Sequence, residues 1–224
     1  MDNFIILFIF ASVLGFMAYY ILRKKRRVKG LTHIAGSHGF CFKGDIDANP
    51  KGKFAPLRLF TLRVEGKMKN VLKRNNPSTW IFDYEYCIPR DQNVGQTVVI
   101  IEMHKSKWPP IVIETRKKER FTVAAMRLLT QKIANWQLSY QEIDLSNHPE
   151  FSKEYRVFCK NDSKSLEELL TVPFFDLMVK NPEWNIETMD QWLLIYRQGQ
   201  YLKPKDFETF TSLVLEIYKL MEKN

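Results

Sequence analysis

The densest group of residues able to do chemistry lies in the stretch IDLSNHPEFSKEYRVFC, residues 143–159, which holds Asp144, His148, Glu150, Ser152 and Cys159. A hydroxyl or thiol nucleophile, an imidazole base and a carboxylate that orients the base are the parts of a hydrolytic set. Asp144, His148, Ser152 and Cys159 could take those roles. Such sets usually come from separated segments and are recognised by their geometry. The same residues also suit a turn around Asn147-His148-Pro149, with Ser152 capping and Phe151 and Tyr155 packing, and polar residues at a turn need no catalytic explanation. The turn is the stronger reading. No catalytic residue is assigned, the chain is read as non-enzymatic, and a hydrolase centred on His148 is the alternative.

Metal and cofactor chemistry find less support. His33, His38 and Cys41 make three ligands where a structural zinc site needs four. Asp45-Ile46-Asp47-Ala48-Asn49 opens like a calcium loop, but Pro50 and Pro56 stand where that loop needs its glycine and its bidentate glutamate. No phosphate-binding glycine loop, H-E-x-x-H, G-x-S-x-G or C-x-x-C occurs. No metal and no cofactor are therefore expected. The three cysteines, Cys41, Cys87 and Cys159, form no close pair and fit a reducing compartment.

Two basic groups remain. Arg23, Lys24, Lys25, Arg26 and Arg27 form a continuous run that could set membrane orientation and meet lipid headgroups. Lys105, Lys107, Trp108, Lys117 and Lys118 surround Pro109-Pro110 and could form a surface for anionic headgroups or a protein partner. The net charge is +9, and six cations against Asp2 place five of those charges within the first 30 residues. The modest remainder gives no reason to expect nucleic acid as a partner.

The elements that must position these groups begin with a membrane span. Residues 4–22, FIILFIFASVLGFMAYYIL, carry no charge, and about 28 Å of helix matches the roughly 30 Å hydrocarbon core. The positive run follows the apolar one, unlike a cleaved leader. The positive-inside rule then leaves residues 1–3 as an external stub and puts the rest in the cytoplasm, as a single-pass protein of the inner membrane. Residues 23–53 read as a basic segment and glycine-bearing tether, and residues 54–224 as one domain with a possible boundary near 145. Leu57–Val64, Trp80–Ile88, Thr97–Met103, Ile111–Thr115, Phe151–Phe158 and Trp192–Tyr196 read as strands, the early ones as a meander. Pro109-Pro110 reads as a turn. Phe121–Trp136, the capped segment from Ser165 (with Pro173 ending it) and Phe207–Met221 read as helices. Strands early and helices late predict an α+β fold.

The order of an apolar span, FDYEY at 82–86, QTVV at 96–99, IDL at 143–145, HPEFS at 148–152 and WLLIYR at 192–197 resembles a family of uncharacterised bacterial single-span membrane proteins. The resemblance covers residues 57–221. It implies a bacterial envelope location and no particular activity. The combined expectation is a membrane-anchored cytoplasmic module that binds the bilayer surface or an unidentified protein partner.

Overall fold

The computed structural model describes residues 2–46, 52, 54–61, 66–87, 93–103, 108–116, 140–160, 166 and 170–222. The apolar segment forms the first half of a single helix, α1 (Asp2–Ser37), of 36 residues, or about 54 Å. Residues 5–22 are exposed on every side, and the helix is long and apolar enough to cross a membrane.

The helix does not stop at the basic run. The tether expected after Arg27 is instead ten further residues of helix, Val28 to Ser37, with Leu31 and Ala35 buried in the domain core. The glycines that suggested a tether have other reasons to be there. At Gly30 a Cβ would lie 2.9 Å from Pro204 Cγ, so the missing side chain lets α1 approach. Gly39, at φ 76°, closes the helix: the Phe40 N–H bonds back to the Ala35 carbonyl and the Gly39 N–H to the Gly36 carbonyl, the usual left-handed glycine stop. The chain then enters a strand directly.

Nine strands form one antiparallel sheet: β1 (Cys41–Ile46), β2 (Lys67–Asn75), β3 (Ser78–Cys87), β4 (Asn93–Glu102), β5 (Trp108–Thr115), β6 (Gln141–Glu142), β7 (Tyr155–Cys159), β8 (Asn185–Asp190) and β9 (Trp192–Tyr196). Their order is β1-β2-β3-β4-β9-β8-β5-β7-β6. Strands β1 to β4 form a meander, in which only the strands expected near 80–88 and 97–103 take part, while β1 and β2 were not expected. Then β9 and β8 intervene before β5, because WLLIY is buried throughout and such a strand belongs inside a sheet, not at its edge. Helices α2 (Arg58–Thr61), α3 (Pro149–Glu154), α4 (Val172–Lys180) and α5 (Phe207–Glu222) complete the α+β fold.

Period-two alternation sorts the sheet into two apolar faces. Leu72, Ile81, Val99, Ile101, Leu193 and Ile195 meet α1, α3, α4 and α5 on one. Trp80, Phe82, Tyr84, Val98 and Leu194 meet Phe54, Leu57, Leu59 and Phe60 on the other.

Several local expectations change. Of the strand expected over Leu57–Val64, residues 57–61 form a bend leading into α2, and residues 62–64 lie outside the described residues. Pro109 and Pro110 lie within β5, at a register shift against β8 between Trp108 and Ile111, where their missing N–H groups break no regular pairing. Residues 149–154 are helical before β7 begins. Pro173 opens α4 rather than ending a helix, as a first-turn proline can. The expected helix over 121–136 and the capping residues 165, 167 and 168 lie outside the described residues.

Candidate functional site

In β3, Phe82, Tyr84 and Tyr86 face one side and Ile81, Asp83 and Glu85 the other. Acids alternating along one side of an antiparallel strand ordinarily turn that side to solvent. Helix α1 covers it instead, and Asp83 is 3% exposed.

Arg27 explains how a carboxylate is kept there. Its Nη1 and Nη2 donate to the two Asp83 carboxylate oxygens at 2.7 and 2.9 Å, and its Nε donates to the Leu202 carbonyl at 2.8 Å. The guanidinium also lies 4.9 Å over the Tyr201 ring. Asp83 accepts two more hydrogen bonds, from Asn70 Nδ2 and Thr97 Oγ1, each at 2.8 Å. The Thr97 oxygen in turn accepts from the Leu202 N–H at 2.8 Å. A two-pronged, charge-assisted pair with every remaining lone pair engaged is the arrangement in which a buried ion pair is tolerated. It ties α1 to β2, β3, β4 and the loop after β9 at one point.

A second ring lies nearer the apolar half of α1. Glu85 receives Lys69, Lys24 at 3.4 Å and the Tyr201 hydroxyl at 3.1 Å. Burial alone would raise the Glu85 carboxyl, but the hydrogen bond from Lys69 and the charges of Lys24 and Lys69 outweigh it and hold the group below its ordinary value. Burial, with Glu85 and Asp83 beside it, pushes the Tyr201 phenol upward, so it stays a donor. Gly95 makes this possible, because a side chain there would occupy the space of the Tyr201 hydroxyl.

These residues form the floor of a cleft of about 550 Å³ between α1 and the domain, lined by Tyr20, Arg23, Lys24, Arg27, Asp83, Glu85, Tyr201, Lys203, Pro204 and Lys205. Arg27 and Lys24 are committed to Asp83 and Glu85. Among the described residues, Arg23, Lys203 and Lys205 make no ion pair, and all three are exposed. Five cations against two carboxylates leave the cleft with three positive charges uncompensated.

The residues singled out from sequence fall in different places. Arg23 and Lys24 line this cleft, whereas Lys25 and Arg26 point to solvent. Arg27, expected among headgroups, turns into the domain. Trp108, expected on the surface, is 2% exposed in the core, because the β5 register brings it opposite Asp190 of β8. Lys105, Lys107, Lys117 and Lys118 lie outside the described residues. The His148 ring stacks on Phe175 at 4.1 Å between centroids. The Ser152 hydroxyl donates to the Leu145 carbonyl at 2.6 Å, and the Asp144 carboxylate accepts the Ser146 N–H at 3.0 Å. Cys159 is buried. A cleft of about 410 Å³ opens beside Asp144 and Ser152, but His148 does not line it. These contacts are those of a turn entering a helix. The His38 ring packs edge-on against Phe207 at 5.5 Å.

Tyr201, Lys203 and Lys205 lie in no motif, and Asp83 and Thr97, although they lie within FDYEY and QTVV, were not read as site residues. The available signal was an acid, Asp83, between two core aromatics on a strand otherwise ready to be covered on both faces.

No protein-family model and no curated protein matches the chain. Its fold is similar to that in the crystal structure of the mycobacterial trehalose monomycolate transport factor A, TtfA, with a TM-score of 0.58 over 87% of this chain and 92% of that one, at 12% identity.

Proposed function

We propose that the chain is a non-enzymatic binding module held in a fixed pose on the cytoplasmic surface of a bacterial inner membrane, serving a partner at or in that membrane. The observation that carries this reading is the Arg27–Asp83 pair. A tether would let the domain wander, whereas a helix that runs unbroken from Asp2 into the domain core fixes both its height and its orientation. Fixed geometry cuts the entropic cost of each contact made at the surface, beyond the gain in effective concentration that any anchor provides. The protein of similar fold is a trehalose monomycolate transport factor, and a supporting role in transport at the bilayer is the setting we propose. The packing of His148 and Ser152 into a turn favours this reading over the hydrolase.

The test is crosslinking in native membranes, comparing the full chain with one that begins at Arg23 and so keeps Arg27. A membrane-protein partner captured by the anchored chain and lost from the shortened one supports the module. Turnover of an ester or amide substrate that disappears in His148→Ala would contradict it. Sidedness has a native reporter in the exposed Cys41. A membrane-impermeant maleimide should modify Cys41, as located by mass spectrometry, in inside-out but not right-side-out vesicles.

A further inference from the structure

We infer that the cleft between α1 and the domain binds the phosphate of one anionic phospholipid drawn from the bilayer that α1 crosses. The inference rests on the membrane-anchored reading above and names a ligand for it. Three features converge on this ligand class.

The first is charge. Arg23, Lys203 and Lys205 come from two separate segments, the helix and the loop after β9, and line one cavity without carboxylate partners among the described residues. Lysine and arginine so gathered suit a phosphate, which takes several charge-assisted hydrogen bonds at once.

The second is depth. Tyr20 closes one end of the cleft and belongs to the last turn of the uncharged segment. Arg23 stands about 4.5 Å beyond it along the axis and Arg27 about 10 Å. The headgroup layer extends about 5–8 Å beyond the hydrocarbon core on each side. The unpaired cation Arg23 therefore stands at the level of lipid phosphates, and the cleft opens sideways from that level into the protein. A free phosphate ion has no need of a site at this depth.

The third is shape. The cavity, at about 550 Å³, holds a headgroup rather than a bare ion, and its walls include Tyr20, Pro204 and Tyr201, apolar surface suited to a glycerol backbone and the first methylenes of a chain. Glu85 and Asp83, already neutralised by Lys24, Lys69 and Arg27, leave the floor polar without repelling an anion.

The experiment uses the full chain in nanodiscs of phosphatidylcholine and phosphatidylglycerol, released into mild detergent and weighed by native mass spectrometry. One phosphatidylglycerol should be retained per chain in preference to phosphatidylcholine. Each basic residue near a membrane surface is worth roughly fivefold in affinity, so R23Q/K203Q/K205Q should lower retention at least about tenfold. These side chains are exposed, and thermal unfolding of the variant should match the wild type. The control K25Q/R26Q/K29Q removes as many juxtamembrane charges without touching the cleft and should retain the lipid. Equal loss in both variants, or equal retention of both lipids, would overturn the inference in favour of diffuse surface attraction. Displacement by inorganic phosphate as effectively as by short-chain phosphatidylglycerol would overturn the bilayer as the source. Carbonate extraction of the same membranes separates failure of the site from failure of the anchor: a chain that washes off contradicts the anchored reading itself.

Discussion

At the scale of single residues, Arg27 decides whether helix and domain form one body. Removing one partner of a buried ion pair leaves the other charge desolvated, at a cost of about 3–5 kcal/mol. Arg27→Ala should therefore destabilise the domain by about 3 kcal/mol in urea unfolding of the detergent-solubilised chain. Arg27→Lys should restore only part of this, because an ammonium cannot meet both Asp83 oxygens, reach the Leu202 carbonyl and stack on Tyr201 together. The double change R27M/D83N, which removes both charges, should be more stable than R27M alone. If the two changes simply add, the pair is not coupled. Glu85 adds a pH dependence. Its folded value lies below the ordinary one, so its contribution is complete above the unfolded glutamate value and fades as pH falls through the folded one. Unfolding midpoints should drop on acidification below about pH 4.5, and Glu85→Gln should flatten that drop.

Glu187 has the opposite sign. It is 1% exposed on the other face of the sheet and accepts hydrogen bonds from the Leu59 N–H at 3.0 Å and the Tyr196 hydroxyl at 3.2 Å. Burial raises its carboxyl despite the nearby Arg58. Its contribution is therefore complete below the ordinary glutamate value and declines as pH rises through the folded one. Glu187→Gln can accept from Leu59 and donate to Tyr196, so it should hold stability at neutral pH and remove that part of the pH dependence. Glu187→Ala should cost about 1–3 kcal/mol by removing the acceptor of the buried Leu59 N–H. Equal unfolding curves for the two variants would contradict this role.

At the scale of elements, glycine marks where the segment after β9 packs closest, against α1 at one point and against β4 at another. Gly30 faces Pro204, and Gly95 lies beneath the Tyr201 hydroxyl. A valine at either position should cost about 1–3 kcal/mol by overpacking, and Gly95→Val should also release Tyr201 from Glu85. Tyrosine absorbance titration would show that release as a phenol titrating closer to its ordinary value. The same glycines explain what sequence reasoning could and could not read. The apolar segment, β3, β4, β9 and α5 were legible because each is a continuous apolar run or keeps an unbroken strand or helix period. The second half of α1 was not, because glycines that serve close packing look like linker glycines when their neighbours are unknown. The α2 segment failed for a related reason: Leu57, Leu59 and Phe60 are apolar because they cover a sheet face, and a short apolar run does not separate helix from strand. The proline pair failed because a turn signal and a register shift share the same residues.

At the scale of the whole molecule, the site is a product of topology. It draws α1, β3 and the loop after β9 from positions up to 185 residues apart, Tyr20 to Lys205. Arg23 and Lys24 were visible in a basic run, but nothing local marked Lys203 and Lys205 as their companions. The His148 cluster shows the converse. Its residues are close in sequence, yet the Asp144, His148 and Ser152 side chains are each spent on a turn or packing contact. A continuous helix also means that force or tilt applied to the span reaches the sheet directly. The rigid junction is therefore the property on which both the proposed module and its lipid site depend.

Hydrogen exchange of the full chain in nanodiscs, read by mass spectrometry over residues 23–37, tests that junction most directly. Isolated helical turns are marginal in water, so slow exchange beyond the bilayer requires docking. Amides from Val28 to Ala35 should exchange as slowly as those of β3, and Arg27→Ala should speed them while leaving residues 5–20 protected by the membrane. Exchange within seconds across 28–35 in the wild type, or no response to Arg27→Ala, would contradict a rigid junction and return this segment to a flexible tether.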